Sequence, residues 1–336
     1  MGIRIQHRTG HHYRNDPRKA IQIEPGLLTK AQVEMLRNIQ ESYLELLHDR
    51  LIEDVTRGIS LDTPIYRIDT LEHFRESLYR NELYLSNPCK WDDPWESFIL
   101  RGKACLPDLT PVDISAMRDS FYAQCWSRVS ECEGIWKARY YHPSNVRYKS
   151  SYPRGVHFVG NRLVKIKTTV CRLMREIYKV DDTSGHKKFC IGAVKYEQPE
   201  TIKAIHERSF KDPSVSKQKD EIIHSLLTKR LGYAYEQEVR LIYQEAFEDK
   251  VNLKAFRDHI VLSDIDPRQF VDEIEIDPWC PHDESVRVTT ELNELMGDVV
   301  SRVKQSSLLT DYDEPTIMFG DDCYILAAGR IIAPQG

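Results

Sequence analysis

The chain is predicted to be an α+β protein with mixed or antiparallel sheets and flanking helices. Three observations carry that expectation. Short segments of strand character and longer amphipathic segments follow one another with no regular βαβ alternation. No internal repeat and no low-complexity linker divides the chain. Neither a glycine-rich dinucleotide fingerprint nor a P-loop is present, which argues against doubly wound nucleotide-binding folds.

The elements follow in order. Residues 1–20 are a His/Arg-rich arm with the character of a poorly ordered terminus, and His11-His12 belong to it. Thr29 with Gln32 resembles a capping box. Val33, Leu36, Ile39, Tyr43, Leu47, Leu51 and Val55 then recur at helical spacing, predicting one long helix over about 30–56 that ends near Gly58. It is expected to pack on the main domain, with partner docking as the functional alternative. Pro64 opens a strand, Ile65 to Ile68, before a short amphipathic helix over 70–80 and a second strand, Leu83 to Ser86. Asn87-Pro88 is a turn, and Asp92-Asp93-Pro94-Trp95-Glu96 reads as another whose side chains cap local backbone. Helix is expected over 112–118, strand over Phe121 to Ser127, and a helical turn or two from Ile135 to Tyr141. Strands are expected at 156–159, 163–167 and 190–196, and a helix over 217–230. A strand over 235–243, a late strand at Ile274 and a helix from Val286 to Val303 complete the series. The boundaries divide the chain into 1–58, a principal domain over 59–300, and a C-terminal extension over 301–336.

Composition narrows the class. The 336 residues are 41% hydrophobic and 29% charged with a net charge of −5, which is ordinary for a globular protein and wrong for a generic polyanion binder. No apolar run approaches the roughly 18 residues of a membrane span, and Met1 to Arg8 lack the apolar core of a signal peptide. None of the eight cysteines forms a C-x-x-C pair, so they are expected to be reduced thiols of a cytoplasmic protein rather than zinc ligands.

Residues 235–243, Tyr-Glu-Gln-Glu-Val-Arg-Leu-Ile-Tyr, carry the most chemistry. Read as a strand, one face has Tyr235, Gln237, Val239, Leu241 and Tyr243, which can pack. The other has Glu236, Glu238 and Arg240 in a row. Two carboxylates roughly 6–7 Å apart on one face can reach a common site, and the arginine can hold one of them ionised. A half-exposed strand with a surface ion pair, worth at most about 1 kcal/mol, is the plain alternative. A second unusual stretch runs from Gly134 to Arg175 and contains no Asp or Glu. Its many Lys and Arg residues are interleaved with tyrosines, with Trp126 and Trp136 upstream or at its start. Cations with stacking rings suit a phosphate-bearing ligand or a nucleic acid strand. A solvated basic face is the alternative.

Several ordered pieces over about 62–295 resemble the bacterial family called domain of unknown function 2971. They are Ile65-Tyr66-Arg67, Leu83 to Pro88, Asp92 to Glu96, Cys125-Trp126-Ser127, Gly134-Ile135-Trp136 with Tyr140, Gly155 to Phe158, Val194-Lys195-Tyr196 and Tyr235 to Arg240. Tyr-Arg, then Ser, then Glu-x-Glu also resembles the ADP-ribosyltransferase superfamily. That resemblance implies an ADP-ribosyltransferase-like core, with the long N-terminal helix as an addition, and NAD as substrate. By the same carry-over Arg67 holds the phosphates or ribose, Ser127 braces the site, Glu238 binds the nicotinamide ribose and Glu236 orients or deprotonates the acceptor. Trp126, Trp136 or Tyr140 would stack on nicotinamide or adenine, with Tyr66 and Arg240 in the same NAD site. Cys-Trp-Ser stands where the superfamily has Ser-Thr-Ser. The implied activity is transfer of ADP-ribose to a macromolecular acceptor. RNA or DNA held by 134–175 is the expected acceptor, in a toxin or anti-phage effector restrained by an inhibitory partner.

The residues suit that chemistry, because breaking the nicotinamide–ribose bond builds positive charge that a fixed carboxylate stabilises. Two other readings stay open. Asp92, Asp93, Glu96, Glu236 and Glu238 can be metal ligands of a nuclease, or the chain can be a non-enzymatic nucleic-acid-binding module. His157 and His224 lack a nearby nucleophile at a recognisable spacing, and Cys125 reads as a buried thiol.

Overall fold

The computed structural model describes residues 55–101, 119–140, 162–180, 189–209, 215–245, 257–297 and 302–309, with short strands and single residues elsewhere. In chain order the strands are β1 (Thr56–Arg57), β2 (Pro64–Thr70), β3 (Glu82–Ser86), β4 (Ala104–Cys105), β5 (Pro111–Val112), β6 (Phe121–Ser127), β7 (Leu163–Thr169), β8 (Phe189–Ala193), β9 (Lys195–Glu197), β10 (Thr228–Arg230), β11 (Glu238–Gln244), β12 (His259–Ser263), β13 (Glu273–Ile276) and β14 (Val303–Gln305). Three more, β15 (Thr316–Met318), β16 (Tyr324–Ala327) and β17 (Arg330–Ile332), form an antiparallel sheet of their own.

A ten-stranded sheet runs β1-β8-β11-β6-β2-β7-β13-β14, with β3 also on β6 and β12 on β3. The β1–β8 and β13–β14 pairs are parallel and the others antiparallel, so the sheet is mixed and the class is α+β, as expected. Helices flank it for local reasons. The helix Leu71–Arg80 starts where the Thr70 side chain accepts the His73 N–H, and it buries Leu71, Phe74 and Leu78 along one stripe. Asn81, in the left-handed region at φ 53°, ends it. The helix Val170–Val180 buries Leu173, Met174 and Ile177 in the same way.

The feature that creates a site is a split in the sheet at β6. Along one edge β6 pairs with β11 from Phe121 to Ser127. On its other edge it meets β2 only at Tyr66↔Ser127 and β3 only at Ser86↔Ala123. Between these contacts the strands diverge. Arg67 reaches across the notch, its Nη1 donating to the Cys125 carbonyl at 2.9 Å, so the separated edge is not left unsatisfied there.

Several expectations are corrected. The segment 235–243 is not one strand: Leu231–Glu236 is a 3₁₀ helix, Gln237 is left-handed at φ 42°, and β11 begins only at Glu238. The helix expected over 217–230 spans Val215–Leu226 and gives way to β10, which pairs in parallel with β9. The strand expected over 190–196 breaks at Val194, whose N–H turns to the Glu238 carbonyl at 2.9 Å. The late helix is His282–Met296, stopped by Gly297 at φ 78°. Of the long N-terminal helix, Ala31, Glu34, Met35 and Ile52 are helical. Val55 is in a turn and Thr56 in β1, and Val112, the start of the helix expected over 112–118, is in β5; the remaining residues of these two helices and the strand over 156–159 lie outside the described residues.

Gly192 on β8 is a close-approach position. A Cβ there would meet Leu227 Cδ1 at 2.6 Å and Arg57 Cβ at 2.9 Å. Gly192→Ala therefore overpacks the join between β8, β1 and the helix ending at Leu226, and lowers stability by about 1–3 kcal/mol. Chemical denaturation measures this, and an unchanged midpoint would mean that Leu227 gives way freely.

Candidate functional site

The register places Tyr66, Ser127 and Glu238 side by side across β2, β6 and β11. Two residues further along each strand, Cys125, Arg240 and Gly192 stand in a second row on the same face. Two segments outside these strands close over the rows. The turn 88–97 brings Trp91 and Glu96, and β10 brings Lys229.

The centre is a buried ion cluster. Arg240 is fully buried, and Glu238 and Lys229 are nearly so. Arg240 Nε donates to Glu238 Oε1 at 2.8 Å, and its Nη2 donates to Glu238 Oε2 at 2.9 Å and to Glu96 Oε2 at 2.7 Å. Its Nη1 donates to the Leu226 carbonyl at 2.6 Å, and the Trp91 ring lies 4.5 Å from the guanidinium carbon. Trp91 is fixed by Nε1–H donating to Ser86 Oγ at 3.0 Å. Lys229 Nζ stands 2.6 Å from Glu236, 2.9 Å from Glu96 and 3.2 Å from Glu238. Three carboxylates thus enclose two cations.

The two neighbouring glutamates differ in kind. Glu238 has both oxygens engaged, and its side chain is 6% exposed. Burial would raise its pKa, but Arg240 and Lys229 overcome that and hold it low, at about 2. Its N–H donates to the Tyr196 hydroxyl at 2.7 Å, and burial pushes that phenol up to about 12. Glu236 has a side chain 24% exposed. Burial raises its pKa and Lys229 only partly offsets this, leaving it above the ordinary carboxyl value. Gln237's left-handed turn swings Glu236 out of the strand, and Ser127 fastens that turn: its Oγ donates to the Glu236 carbonyl at 2.6 Å and accepts the Val129 N–H at 3.0 Å. Glu238 is an anchor, and Glu236 is at the mouth.

Beside the cluster, Arg67 is held by Asp69, with Nε and Nη2 donating to Oδ2 at 3.1 and 2.9 Å. Burial would raise Asp69, but Arg67 overrides it and keeps the carboxyl well below its usual range. Arg139, on the helix Glu133–Tyr140, is half-buried. Burial first, and then the Arg67 charge, weaken its hold on its proton, while Asp69, Cys125 and Glu238 act in the opposite sense. Arg139 therefore stands within electrostatic reach of both the other arginine and the carboxylate cluster. Such perturbed groups, gathered at one divergence of a sheet, mark a candidate site on physical grounds.

Some expected residues are placed elsewhere. Trp126 is buried, its Nε1–H donating to Gln124 at 2.9 Å, and Trp136 is fully buried with its Nε1–H on Glu131 at 2.8 Å. Neither presents a face on which a ligand could stack. Arg240 is fully buried and gives its hydrogen bonds to Glu238, Glu96 and the Leu226 carbonyl, which places it as a support for Glu238. Tyr66 is half-buried with Lys165 Nζ 5.9 Å from its ring, and the Tyr140 side chain lies outside the described residues. Burial and Glu238 push the Cys125 thiol far up, which suits a buried thiol and not a nucleophile.

The acid-free stretch is balanced in space. Lys137 pairs with Glu133, Arg162 with Glu284, Lys165 with Glu131 and Glu275, and Arg172 with Asp272. In its described part it is not an open basic surface; residues 141–161 lie outside the described residues. The acidic set is also not gathered on a metal. Asp93 caps Trp95 N and pairs with Arg230 at 3.0 Å, while Glu96, Glu236 and Glu238 are countered by Lys229 and Arg240. Among the described residues no three His, Cys, Asp or Glu side chains are placed to hold a metal ion. Sequence reasoning missed Lys229 and Asp69; it had Arg139 only as one cation of 134–175 and Tyr196 only as part of a family motif.

Fold and site together define an α+β chain with a split mixed sheet and a buried carboxylate–cation cluster at the split. No protein-family model matches the chain, so the resemblance to domain of unknown function 2971 rests on its ordered motifs alone, and no curated protein matches it. Two solved structures of DarT from Thermus sp. 2.9 align with 74% of this chain. One, in complex with ADP-ribosylated ssDNA, is covered over 97% of its length at 13% identity, with a TM-score of 0.28. The other, in complex with NAD+, is covered over 98% at 14% identity, with a TM-score of 0.27. No helix among the described residues is long and apolar enough to cross a membrane.

Proposed function

We propose that the chain is an ADP-ribosyltransferase-type enzyme that takes NAD as donor and transfers ADP-ribose to a macromolecular acceptor. The observation that carries this reading is the geometry at the split: Glu236, partly exposed and 2.6 Å from Lys229, stands beside the buried Glu238–Arg240 pair, with Arg67 fixed by Asp69 across the notch. Guanidinium forks such as that of Arg67, set by Asp69, suit a diphosphate. The carboxylates beside them suit the positive charge that develops as a glycosidic bond to a ribose breaks.

In this reading Arg67 and Arg139 hold the diphosphate, and Asp69 sets the Arg67 fork. Glu236 faces the ribosyl cation and takes the acceptor's proton. Glu238, fixed by Arg240, and Ser127, fixed to the Glu236 carbonyl, are positioning residues. This reverses the order of the two glutamates implied by motif resemblance, because only Glu236 reaches the mouth. A metal-dependent nuclease is disfavoured, since a metal would have to displace Lys229 from three carboxylates.

The test is nicotinamide release from NAD by purified protein, with and without RNA, DNA or cell extract. Release that survives a chelator supports the reading; none under any condition, with the fold intact, overturns it.

A pH profile adds a second check. Glu236 takes up its proton above the ordinary carboxyl value of 4.5, so activity that needs it ionised falls on acidification while Glu238 is still charged. For Glu238 the folded value, about 2, lies below the ordinary 4.5. The stability it contributes is complete above pH 4.5 and is lost as pH falls from there towards 2. The acid limb of kcat/KM is therefore expected above pH 4.5, at higher pH than the loss of the stability that Glu238 contributes. Coincidence of the two would remove Glu236 from the titrating role.

A further inference from the structure

A cavity of about 380 Å³ adjoins the carboxylate cluster, lined by Gln198, Pro199, Arg230, Leu231, Gly232 and Tyr233. Its volume falls within the roughly 300–1,000 Å³ range of small-molecule sites. Two features connect it to Glu236. Lys229 Nζ stands 4.6 Å from the centroid of the Tyr233 ring and 2.6 Å from the Glu236 carboxylate, so one ammonium separates the cavity wall from the mouth carboxylate. Tyr233 and Glu236 also belong to the same 3₁₀ helix, Leu231–Glu236.

The wall has a definite chemistry. Tyr233 is half-buried and braced, with Lys229 against its ring and Arg230 Nη2 donating to its hydroxyl at 3.3 Å. Arg230 is itself held by Asp93 through Nε at 3.0 Å. Leu231, 46% exposed, and Pro199 add apolar surface. Gly232 offers no side chain, and a Cβ built on it meets nothing within 4 Å. Besides the Tyr233 hydroxyl, which Arg230 engages, the polar groups of the wall are the Gln198 amide and the Arg230 guanidinium, and no carboxylate lines it. A fixed aromatic ring, apolar flanks and two hydrogen-bonding groups fit a flat heteroaromatic ring with a polar edge.

We propose that this cavity is the acceptor subsite and receives one nucleobase of a nucleic acid strand, whose ring stacks on Tyr233 and whose edge is met by Gln198 and Arg230. This rests on the transferase reading of the neighbouring cluster. It moves the acceptor away from 134–175, where Lys137, Arg162, Lys165 and Arg172 are each paired with a carboxylate. In the transfer, the C1′–nicotinamide bond breaks with its electron pair leaving on nicotinamide. A ring nitrogen of the base supplies the pair for the new C1′–N bond, and its proton passes to the Glu236 carboxylate.

Gly232→Trp tests the proposal, because it fills the cavity from a position with open space. Gly232→Ala is the control. Short RNA and DNA homopolymers of each base serve as acceptors with labelled NAD, and fluorescence anisotropy reads binding of the same labelled strands. Gly232→Trp is expected to lower both transfer and strand binding by at least 10-fold and to leave NAD hydrolysis by water within 2-fold of wild type. Gly232→Ala is expected to match wild type in all three. Unchanged transfer and binding in Gly232→Trp would overturn the proposal. Equal loss of hydrolysis and transfer would assign the cavity to the donor instead, and label on protein but on no strand would assign it to a peptide acceptor; either overturns it. If wild type consumes no NAD, the transferase reading fails, and strand binding sensitive to Gly232→Trp would still support the base site.

Discussion

Arg240→Met is expected to lower the unfolding free energy by about 3–5 kcal/mol, because it leaves buried carboxylates without their cation. Arg240 is fully buried and makes four hydrogen-bond contacts, two to Glu238, one to Glu96 and one to the Leu226 carbonyl. Methionine fills much of the volume, so the loss is chiefly electrostatic. Glu238 would respond by binding a proton, and the deficit should therefore shrink between pH 7 and pH 5. Adding Glu238→Gln should recover part of it, since the two residues act as a pair. Urea unfolding of the single and double variants at both pH values measures all of this. A deficit under about 1 kcal/mol would mean that water reaches the cluster.

The second large effect is on activity. Glu236→Gln is expected to lower nicotinamide release by about 100-fold or more while stability changes by less than about 1 kcal/mol. Its carboxylate is partly exposed and touches Lys229, so the amide keeps the shape and loses the charge. Glu238→Gln should lower activity and stability together, because that side chain supports Arg240. The separation between the variants is what distinguishes a mouth carboxylate from an anchor. Wild-type release in Glu236→Gln would remove the assignment.

Much of this was legible in the residues. Pro64 to Ile68, Leu83 to Ser86, Phe121 to Ser127 and 163–167 declare strands by composition, and each forms. Glu236 and Glu238 do converge, but not by strand alternation: a left-handed Gln237 bends the chain between them, and no propensity of glutamine announces that. Lys229 was hidden because Ile222 to Leu227 continue a helical pattern into it, whereas the pull of β9 converts 228–230 into strand. Glu96 stood out only as one more acid in a turn. Its role depends on Arg240, 144 residues away in sequence, and such long-range pairing leaves no local trace. Lys165 shows the same limit, since its partners Glu131 and Glu275 come from opposite sides of it in the chain.

The place of β11 between β8 and β6 has a consequence for how the molecule forms. Until residues 238–244 arrive, β1–β8 has no strand through which to join β6 and its two wings. β11 is thus the strand that joins β1–β8 to the rest of the sheet, and it carries Glu238 and Arg240 and directly follows Glu236. Such pairings join residues far apart in the chain, Gln244 with Phe121 among them, and non-local pairings make assembly slow. A nascent chain that has not yet delivered β11 to the sheet has neither a finished sheet nor its acid pair, so assembly and arming are one event.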